Sequence, residues 1–574
     1  MRYFSRTTFA TAACLSFASV ASYAQSEPVF VPLPGSDVQR MQRQQIDATN
    51  TSGTLGDALK PGDLAPAAPD LAHLPTETPC FEIRKIELDG NPFDWLASLL
   101  QPVAGQCVGP NGLKIIQDAA ANALIQRGYI TARVQIPPQS LNDGTLTLQV
   151  APGRVGEIST DDANHAAAGW LPAALPTHGD ALLDQRDIDQ ALENLRRLPS
   201  QADASFDIVP GAQPGQSDVV LHPGTGRRWH AAIGYDNAGL DATGKNRVSG
   251  SFTFDSPLHL YDQVQVSGMV NANAGAKDRG NDFAAVSYSV PLGYAMLSVD
   301  ASRSHYLQTS ATVFGPIEYS GIQKNAGVKL SGVVQRSTHS RTEVRARLFR
   351  AINDNYFADI PIDVQSRDIY GYELGVSHRH YFGNVQVDAA AGWRASLPGI
   401  SRNTGYAVSD SPFNGHTEVE TASLSVLAPF RIGSQPFSYQ FGWSMQNART
   451  PLWAPDYFMI GTRYAVRGFD QQTTLAAESG WAVSNELDWY VPTSVGVQAL
   501  YTGIDAGRVR GPTAPYLAGN TLVGMVAGIK GTLAPKNVFG TTVNYDVSVG
   551  WPLYKPSGFP NRSPTMLVQV SALI

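Results

Sequence analysis

From residue 227 to the last residue, apolar side chains alternate with polar or small ones at a period of two. The clearest apolar series, taken at every second position, run over residues 229–235, 385–393, 539–551 and 566–574. Each series predicts a strand of roughly ten residues with one apolar face, which is the length of a membrane-crossing strand in a barrel. Strands in soluble sandwiches also alternate, but they average only about five or six residues. The pattern therefore predicts a C-terminal transmembrane antiparallel β-barrel over residues 227–574.

The length of this region sets the size of the barrel. At about 20–24 residues for each strand with its connection, it holds roughly 14–18 strands, and we expect about 16 because bacterial barrels favour even numbers. The polar parity of one strand carries charge, at Arg341, Glu343, Arg345 and Arg347. Such charges are tolerable only where that face meets water, so the lumen should be hydrated. Aromatic girdles are expected at the membrane interfaces, with contributions from Trp229, Trp393 and Trp551.

Before the barrel the periodicity is mixed and predicts two small α/β units, at residues 80–153 and 154–226. In the first unit, residues 113–127 have apolar side chains near helical spacing. In the second unit, residues 187–198 have one apolar face, and Asp184 is the expected N-cap of that helix. Strands are expected around these helices at residues 81–88, 129–135, 145–150, 204–208 and 218–221. The chain as a whole is therefore predicted to be mainly β.

The N-terminus has the pattern of an export signal. Arg2 and Arg6 precede a mostly apolar stretch at residues 9–21, and residues 22–24 (Ser-Tyr-Ala) offer small side chains for cleavage. A transmembrane anchor needs about 20 apolar residues, and this stretch is too short and too rich in Ser and Thr. We expect residues 1–24 to be a signal peptide that is removed after the last of them.

A lone helix on a linker follows the signal. Residues 25–50 contain one predicted helix with few apolar side chains, and residues 51–79 are rich in proline, as in an extended linker. A polar helix on such a linker is a candidate plug for a water-filled lumen. The alternative is a disordered periplasmic tail.

The cysteines agree with export. Cys14 leaves with the signal peptide, so the mature chain keeps only Cys80 and Cys107. Two cysteines in an exported protein most simply form one disulfide, which is worth roughly 3 kcal/mol for a loop of this size. A metal pair is the alternative, but neither cysteine has another Cys or His at ligand spacing.

Composition and charge narrow the class of protein. Charged residues make up only 16% of the chain, against roughly 25% in soluble proteins. A net charge of −7 argues against a dedicated nucleic-acid binder, which usually needs a basic face. The chain contains no G-x-S-x-G, H-E-x-x-H, Walker loop or Cys/His metal spacing. We therefore expect neither an enzyme nor a cofactor or metal site.

Two short motifs in the barrel region give the chain a family resemblance. The first, V-R-G-F, consists of Val466, Arg467, Gly468 and Phe469. The second, D-x-G, contains Asp505 and Gly507. With the order of signal, lone helix, linker, two α/β units and barrel, the chain resembles the two-partner secretion outer-membrane transporters of the haemolysin secretion/activation (ShlB/FhaC/HecB) family. The resemblance covers essentially the whole mature chain and implies that the two α/β units are polypeptide-transport-associated (POTRA) domains.

The resemblance also implies a contact inside the barrel. The V-R-G-F motif of the family lies on a long loop that folds back into the lumen, so Arg467 is expected to pair with Asp505 on the wall. The alternation around this aspartate predicts the opposite direction, since Val495, Val497 and Ala499 share its parity and are expected to face lipid. A bulge between them would turn the carboxylate inward.

The chain departs from the family pattern at two positions. Gly503 stands two residues before the motif aspartate, where an aromatic residue is usual. Ile574 ends the chain, where the final residue is usually aromatic. The period-two alternation that leads to this C-terminus is intact.

The function implied by the resemblance is type V, two-partner secretion. The POTRA domains would recognise an unfolded exported protein in the periplasm, and the pore would pass it to the cell surface. The expected client is a large β-helical adhesin or cytolysin, and the expected partners are outer-membrane lipid and, during biogenesis, barrel-assembly machinery and periplasmic chaperones. The chain is expected to be a monomer in the outer membrane of a Gram-negative bacterium, with its N-terminal domains in the periplasm. The alternatives are a barrel-assembly protein, which would carry more periplasmic modules, and a passive or gated porin, which would not need residues 80–226.

Overall fold

The computed structural model describes the chain over residues 70–161, 169–272, 278–312, 315–402, 415–494, 496–533 and 541–574. The predicted signal peptide (1–24), the helix predicted within 25–50 and residues 51–69 of the linker lie outside these ranges. Two small α/β units precede a closed barrel, so the described chain is mainly β. None of the helices in these ranges is long and apolar enough to cross a membrane.

The first unit packs two helices against a three-stranded sheet. Its elements are β1 (Phe81–Ile83), β2 (Lys85–Asp89), α1 (Asp94–Leu100), β3 (Gln106–Val108), α2 (Pro110–Gln126), β4 (Arg133–Gln135) and β5 (Thr145–Ala151). The sheet has the order β2–β5–β4, with β2 parallel and β4 antiparallel to β5. Helix α2 buries Ile116, Ala120 and Leu124 in the core of this unit. The helix ends before Gly128, whose φ of +97° suits a residue without a Cβ.

The strand predicted over residues 81–88 is interrupted at Arg84. The backbone N–H of Arg84 donates to the carbonyl oxygen of Gly144 at 2.7 Å, and the segment before the break pairs with β3 instead of the sheet. The predicted disulfide between Cys80 and Cys107 is present, with the two Cα atoms 5.4 Å apart. It ties the end of the β1–β3 ribbon together.

The second unit repeats the plan of the first. Its elements are β6 (Arg154–Thr160), α3 (Leu171–Ala174), α4 (Gln185–Arg196), β7 (Ser205–Pro210) and β8 (Gln216–His222). The sheet order is β6–β8–β7, again with the outer strand parallel and the hairpin strand antiparallel to the centre. Asp184 caps α4 as predicted, because its carboxylate accepts the backbone N–H of Arg186 at 2.9 Å.

The remaining chain closes into a barrel whose wall has sixteen antiparallel strands among the described residues. These strands are β9 (Trp229–Asp236), β10 (Arg247–Asp255), β11 (Gln263–Asn271), β12 (Arg279–Leu292), β13 (Ala295–Thr312), β14 (Gly315–Arg336), β15 (Ser340–Phe357), β17 (Arg367–Phe382), β18 (Val385–Ser396), β19 (Glu418–Ile432), β20 (Gln435–Ala448), β23 (Ser479–Thr493), β24 (Gly496–Arg510), β25 (Thr521–Leu533), β26 (Thr542–Tyr554) and β27 (Thr565–Leu573). Three short strands add to these sixteen: β16 (Ile360–Pro361) pairs with the outer end of β15, and β21 (Phe458–Ile460) and β22 (Leu475–Ala477) form a separate ribbon. Pairing of β27 with β9 closes the cylinder and confirms the expected strand number.

The second unit is fixed to one end of the barrel. Helix α4 lies against the turn between β12 and β13, where the Asn194 side chain donates to the carbonyl oxygen of Gly293 at 2.8 Å. The Tyr294 hydroxyl of the same turn donates to Asp187 at 2.6 Å, and burial raises the pKa of this Asp187 carboxyl. This end of the barrel therefore faces the compartment that holds the two α/β units.

A buried cluster of charges joins the helix to the next turn. Glu193 of α4 forms ion pairs with Arg336 and Arg341, which are cross-strand partners at the turn between β14 and β15. Two cations directly opposite each other repel, so the glutamate removes a repulsion within the barrel while it holds the helix.

Most of the wall strands are longer than the predicted ten residues. They range from 8 residues in β9 to 22 in β14, and β13 and β15 have 18 each. A tilted strand needs only about 9–11 residues to cross the hydrocarbon layer. The surplus on β13, β14 and β15 raises the wall above the membrane at the end away from the two α/β units.

The outward and inward faces follow the predicted alternation. On β15, Val344 and Leu348 are exposed on the outside of the cylinder, whereas Arg345 and its neighbours of the same parity face the lumen. Outward aromatic side chains gather on three adjacent strands, near the end of the barrel that holds the two α/β units. Their rings stack in a row, with centroids 5.6 Å and 6.3 Å apart, formed by Phe430, Phe437 and Trp489.

Candidate functional site

A long loop, residues 449–478, leaves the outer end of β20 and folds back against the inner wall before β23 begins. Within it, β21 and β22 pair as an antiparallel ribbon. Val466 and Phe469 of the V-R-G-F motif are buried in an apolar cluster that includes Val509 and Leu522 of the wall. The sequence motif therefore marks the part of the loop that touches the barrel.

Glycines on neighbouring wall strands provide a flat seat for the loop. A Cβ added at Gly524 would lie 1.9 Å from the carbonyl oxygen of Arg467, and one added at Gly507 would lie 2.7 Å from the Val466 side chain. Gly468 of the loop has a φ of +103° and lies equally close to the backbone of β26. Side chains at these positions would push the loop away from the wall.

The first departure from the family pattern belongs to the same seat. Gly503 lies directly under the guanidinium group of Arg467, and a Cβ there would be 2.8 Å from the Nη2 atom. A large side chain at this position would compete with the guanidinium for space. Glycine instead of an aromatic residue leaves room for the arginine to reach the wall.

Arg467 and Asp505 lie together at the centre of the site. The Nε and Nη2 groups of Arg467 donate to the two carboxylate oxygens of Asp505 at 2.7 Å and 2.9 Å, and its backbone N–H donates to the same carboxylate at 2.9 Å. Asp505 is only 1% exposed. Three bonds from one residue fix both the side chain and the backbone of the loop tip, and the bidentate part is the strong geometry for this pair.

Three further charged residues extend the pair into a chain that sequence reasoning missed. The Nη1 group of Arg467 donates to Glu486 on β23, and Lys530 on β25 donates to the same glutamate at 2.5 Å. Lys530 also lies 2.9 Å from Asp488, which is fully buried. Acidic and basic groups thus alternate from the loop tip along the lumenal wall.

A signal for these residues exists in the sequence. On β23, Glu486 and Asp488 occupy every second position, opposite in parity to Val483, Leu487 and Trp489, which face outward. Two acids on the polar face of a membrane strand need a cation nearby, because an unpaired buried carboxylate is costly. The sequence does not specify which of several basic residues supplies it.

Asp505 reaches the lumen without the bulge that the alternation was expected to need. The pairing of β24 with β23 is continuous from Gly496 to Arg510, so the odd-numbered positions face inward along the strand. The expectation that Val497 and Ala499 face lipid was wrong, since both have the inward parity and Ala499 is 3% exposed, while Leu500 points outward. Val495 lies outside the described residues. A small apolar residue fits a crowded inner wall, so its apolarity did not indicate lipid contact.

The site is an ion-pair network. Within the ranges that the structure describes, no group of three or more His, Cys, Asp or Glu side chains is arranged to hold a metal ion. What the arrangement can do is hold loop 449–478 at a defined place inside a channel.

Comparison with protein families decides the identity of the chain. Residues 215–531 match the model of the haemolysin secretion/activation protein ShlB/FhaC/HecB. Residues 81–153 match a ShlB-type POTRA domain, and residues 154–210 match a POTRA domain. The chain belongs to the ShlB/FhaC/HecB family. The first α/β unit is thus POTRA domain 1 and the second is POTRA domain 2.

Curated relatives and solved structures agree with this family. The chain is 34% identical to the outer membrane transporter CdiB-2 of Burkholderia pseudomallei over 93% of its own length and 92% of the relative. It is 28% identical to the hemolysin transporter protein ShlB of Serratia marcescens over 77% of this chain and 78% of that one. The structure of CdiB from Escherichia coli has the same fold, with a TM-score of 0.84, 24% identity and coverage of 96% of this chain and 100% of that chain.

These findings give the cellular location of the ShlB-family chain. It is an outer-membrane transporter with a sixteen-stranded barrel, and its two POTRA domains lie in the periplasm. The end of the barrel that contacts α4 is the periplasmic end, and loop 449–478 enters the lumen from the extracellular end.

Proposed function

We propose that the protein carries an unfolded exported partner from the periplasm through its lumen to the cell surface. The observation that carries this proposal is the charged lumen of a closed barrel, which holds a loop tied to the wall by Arg467 and opens beside a docked POTRA domain. Relatives named as transporters of hemolysin support a protein client of the haemolysin kind. Transport of this kind needs no catalytic residue, because folding of the client outside biases the movement outward.

An open sheet edge in POTRA domain 2 is suited to grip such a client. Among the described residues, β7 pairs with β8 on one side and with no strand on the other. Gly211 donates to Gln216 across the hairpin, so by alternation the odd-numbered residues of β7 bond to β8. The backbone groups of Phe206 and Ile208 then point to the open edge. Main-chain hydrogen bonds there would hold an extended client with little regard to its sequence.

The edge can be tested by removing one backbone donor. Ile208→Pro deletes an N–H that points to the open edge but leaves the bonds between β7 and β8 in place. We expect this variant to reduce the amount of client outside the cell by about tenfold or more at an unchanged level of barrel in the membrane. Ile208→Ala is the matched control, because it removes the same side chain and keeps the N–H. Equal export by the two variants would exclude the edge as the grip.

The function itself is tested by co-expression. The chain is produced together with a candidate client, a large exported protein whose gene neighbours its own, and the client is measured in the medium, on the cell surface and in the periplasm. We expect the client outside the cell only when this chain is present. Export that is equal without it would overturn the proposed function, whereas a defect limited to Ile208→Pro would concern only the mode of recognition.

A further inference from the structure

Three basic side chains lie on the lipid-facing surface of three consecutive strands. Arg303 on β13, Lys324 on β14 and Arg350 on β15 have the outward parity of Val299 and Val328, which are 44% and 48% exposed. Arg303 and Lys324 are direct cross-strand partners, and Arg350 pairs with the outward residue next to Lys324 on β14. The three cations therefore form one compact patch, here called the basic patch.

The basic patch lies at the outer edge of the apolar band. On β13 the outward residues between the periplasmic turn and the patch are all apolar: Ala295, Leu297, Val299 and Ala301. Arg303 stands eight residues above the start of the strand, which is about 27 Å along it, or roughly 20 Å of height at the usual tilt. An apolar band is about 25 Å tall, so the patch meets the headgroups of the outer leaflet. The strand continues to Thr312, so these cations are part of the wall and not of a loop.

Two cations directly opposite each other on a sheet destabilise it unless an anion lies between them. The acidic side chains of the protein neutralise these cations only in part. The Asp282 carboxylate lies 3.4 Å from the Nη1 atom of Arg303, but it also lies 2.9 Å from the Nδ1 atom of His305. This acid is therefore shared between two basic side chains. Lys324 makes no hydrogen bond or ion pair with any residue that the structure describes, including the outward-facing Asp354.

Arg350 is held ready for a second acceptor. Its Nε and Nη2 groups donate to the two oxygens of Asp368 at 2.8 Å and 2.9 Å, and its guanidinium lies 5.1 Å from the centre of the Tyr370 ring. A guanidinium has five N–H donors, so about three stay available beside Lys324. The guanidinium group is thus held in place while more than half of its N–H donors stay available for another acceptor.

We propose that the basic patch binds the phosphate groups of a glycolipid in the outer leaflet. Phosphates between Arg303, Lys324 and Arg350 would replace the repulsion of the cations by charge-assisted hydrogen bonds. The acyl chains of the same lipid cover the aliphatic surface directly below, formed by Val299, Val328, Leu330 and Leu348. The ligand is thus a phosphorylated headgroup with several acyl chains.

The test measures lipid binding to the purified full chain in detergent by native mass spectrometry. The probes are lipid A with two phosphates, its dephosphorylated form and inorganic phosphate. The variant combines Arg303→Gln, Lys324→Gln and Arg350→Gln. The control combines Lys329→Gln, Arg345→Gln and Arg347→Gln, which removes the same kinds of charge from the lumenal face of β14 and β15.

We expect the wild type and the control to bind the phosphorylated lipid at least tenfold more tightly than the patch variant does. Removal of the phosphates from the lipid should weaken its binding to the wild type at least as much as the three substitutions weaken binding of the phosphorylated lipid. Equal binding by the patch variant and wild type, or displacement of the lipid by an equal concentration of inorganic phosphate, overturns the proposal. Heat-dependent gel mobility shows whether each barrel has folded, and Lys324→Gln alone, with a smaller expected loss, replaces the triple variant if that one does not fold.

Discussion

At the scale of single residues, the site depends on how Arg467 is held. Its guanidinium and backbone N–H both donate to a buried carboxylate, and no other residue of loop 449–478 is shown to make as many charged contacts with the wall. A residue with five donors in a rigid fork suits this task, whereas lysine would provide one point of attachment. We propose that this contact sets the resting position of the loop.

Replacement of this arginine should therefore separate export from assembly. Arg467→Ala removes both guanidinium bonds and leaves the buried Asp505 carboxylate with only the backbone N–H of residue 467, which costs up to about 3–5 kcal/mol in the seating of the loop. The barrel should still insert, with client export reduced about tenfold or more, as measured by client in the medium against heat-modifiable barrel in the membrane. The matched control is Arg463→Ala in the same loop, whose side chain contacts the neutral Gln569. Normal export by the Arg467 variant would discard the proposed role.

How far the sequence predicts this site differs from residue to residue. Arg467 and Asp505 belong to recognisable motifs, so their contact could be predicted from the sequence. Lys530 stands in no motif, and its partner on β23 is known only once three strands have been placed side by side. Ala499 misled the prediction because one small apolar residue fits lipid and a crowded lumen equally well.

At the scale of elements, α4 couples POTRA domain 2 to the barrel. Its start was predictable because the capping aspartate acts on the adjacent turn. Its docking was not predictable, since Glu193 meets two arginines more than a hundred residues away in the chain. The break at Arg84 has the same origin, because it depends on a carbonyl group of Gly144. Local signals give the elements, and distant contacts decide where they are interrupted or held.

Loss of the charge on Glu193 should loosen this docking. Glu193→Gln keeps the size of the side chain but leaves Arg336 and Arg341 facing each other, at a cost of up to about 3 kcal/mol. We expect faster hydrogen exchange of the α4 amides in the intact protein. The control is the exposed Glu157→Gln on β6 of the same domain. Equal protection of α4 in both variants would show that the ion pairs do not hold the helix.

At the scale of the whole molecule, the strand number followed from length and alternation, which both reflect the bilayer. The height of the wall did not follow, because β13, β14 and β15 continue in water, where no apolar face is required. The order of POTRA domains and barrel could be predicted from the periodicity, because the chain changes from a water-exposed fold to a lipid-facing one. The signal peptide and the linker stay predictions.

We propose that the helix predicted within residues 25–50 plugs the lumen of this barrel. Deletion of these residues should raise the single-channel conductance of the protein in planar bilayers, because a polar helix would no longer fill the channel. Replacement of residues 51–69 by a Gly/Ser segment of equal length is the control, since it changes the linker alone. An unchanged conductance after the deletion would refute the plug.

The glycine seat under the loop has a mechanical consequence. Gly503, Gly507 and Gly524 present bare backbone under the tip of loop 449–478, and the apolar side chains of Val466 and Phe469 pack beside them. The glycines have no side chains that would block sliding of the tip, so the ion pairs of Arg467 are what restrains movement across them. A client that competes for the acceptors of Arg467 would therefore remove the charged contact of the loop tip and leave its apolar contacts to be displaced.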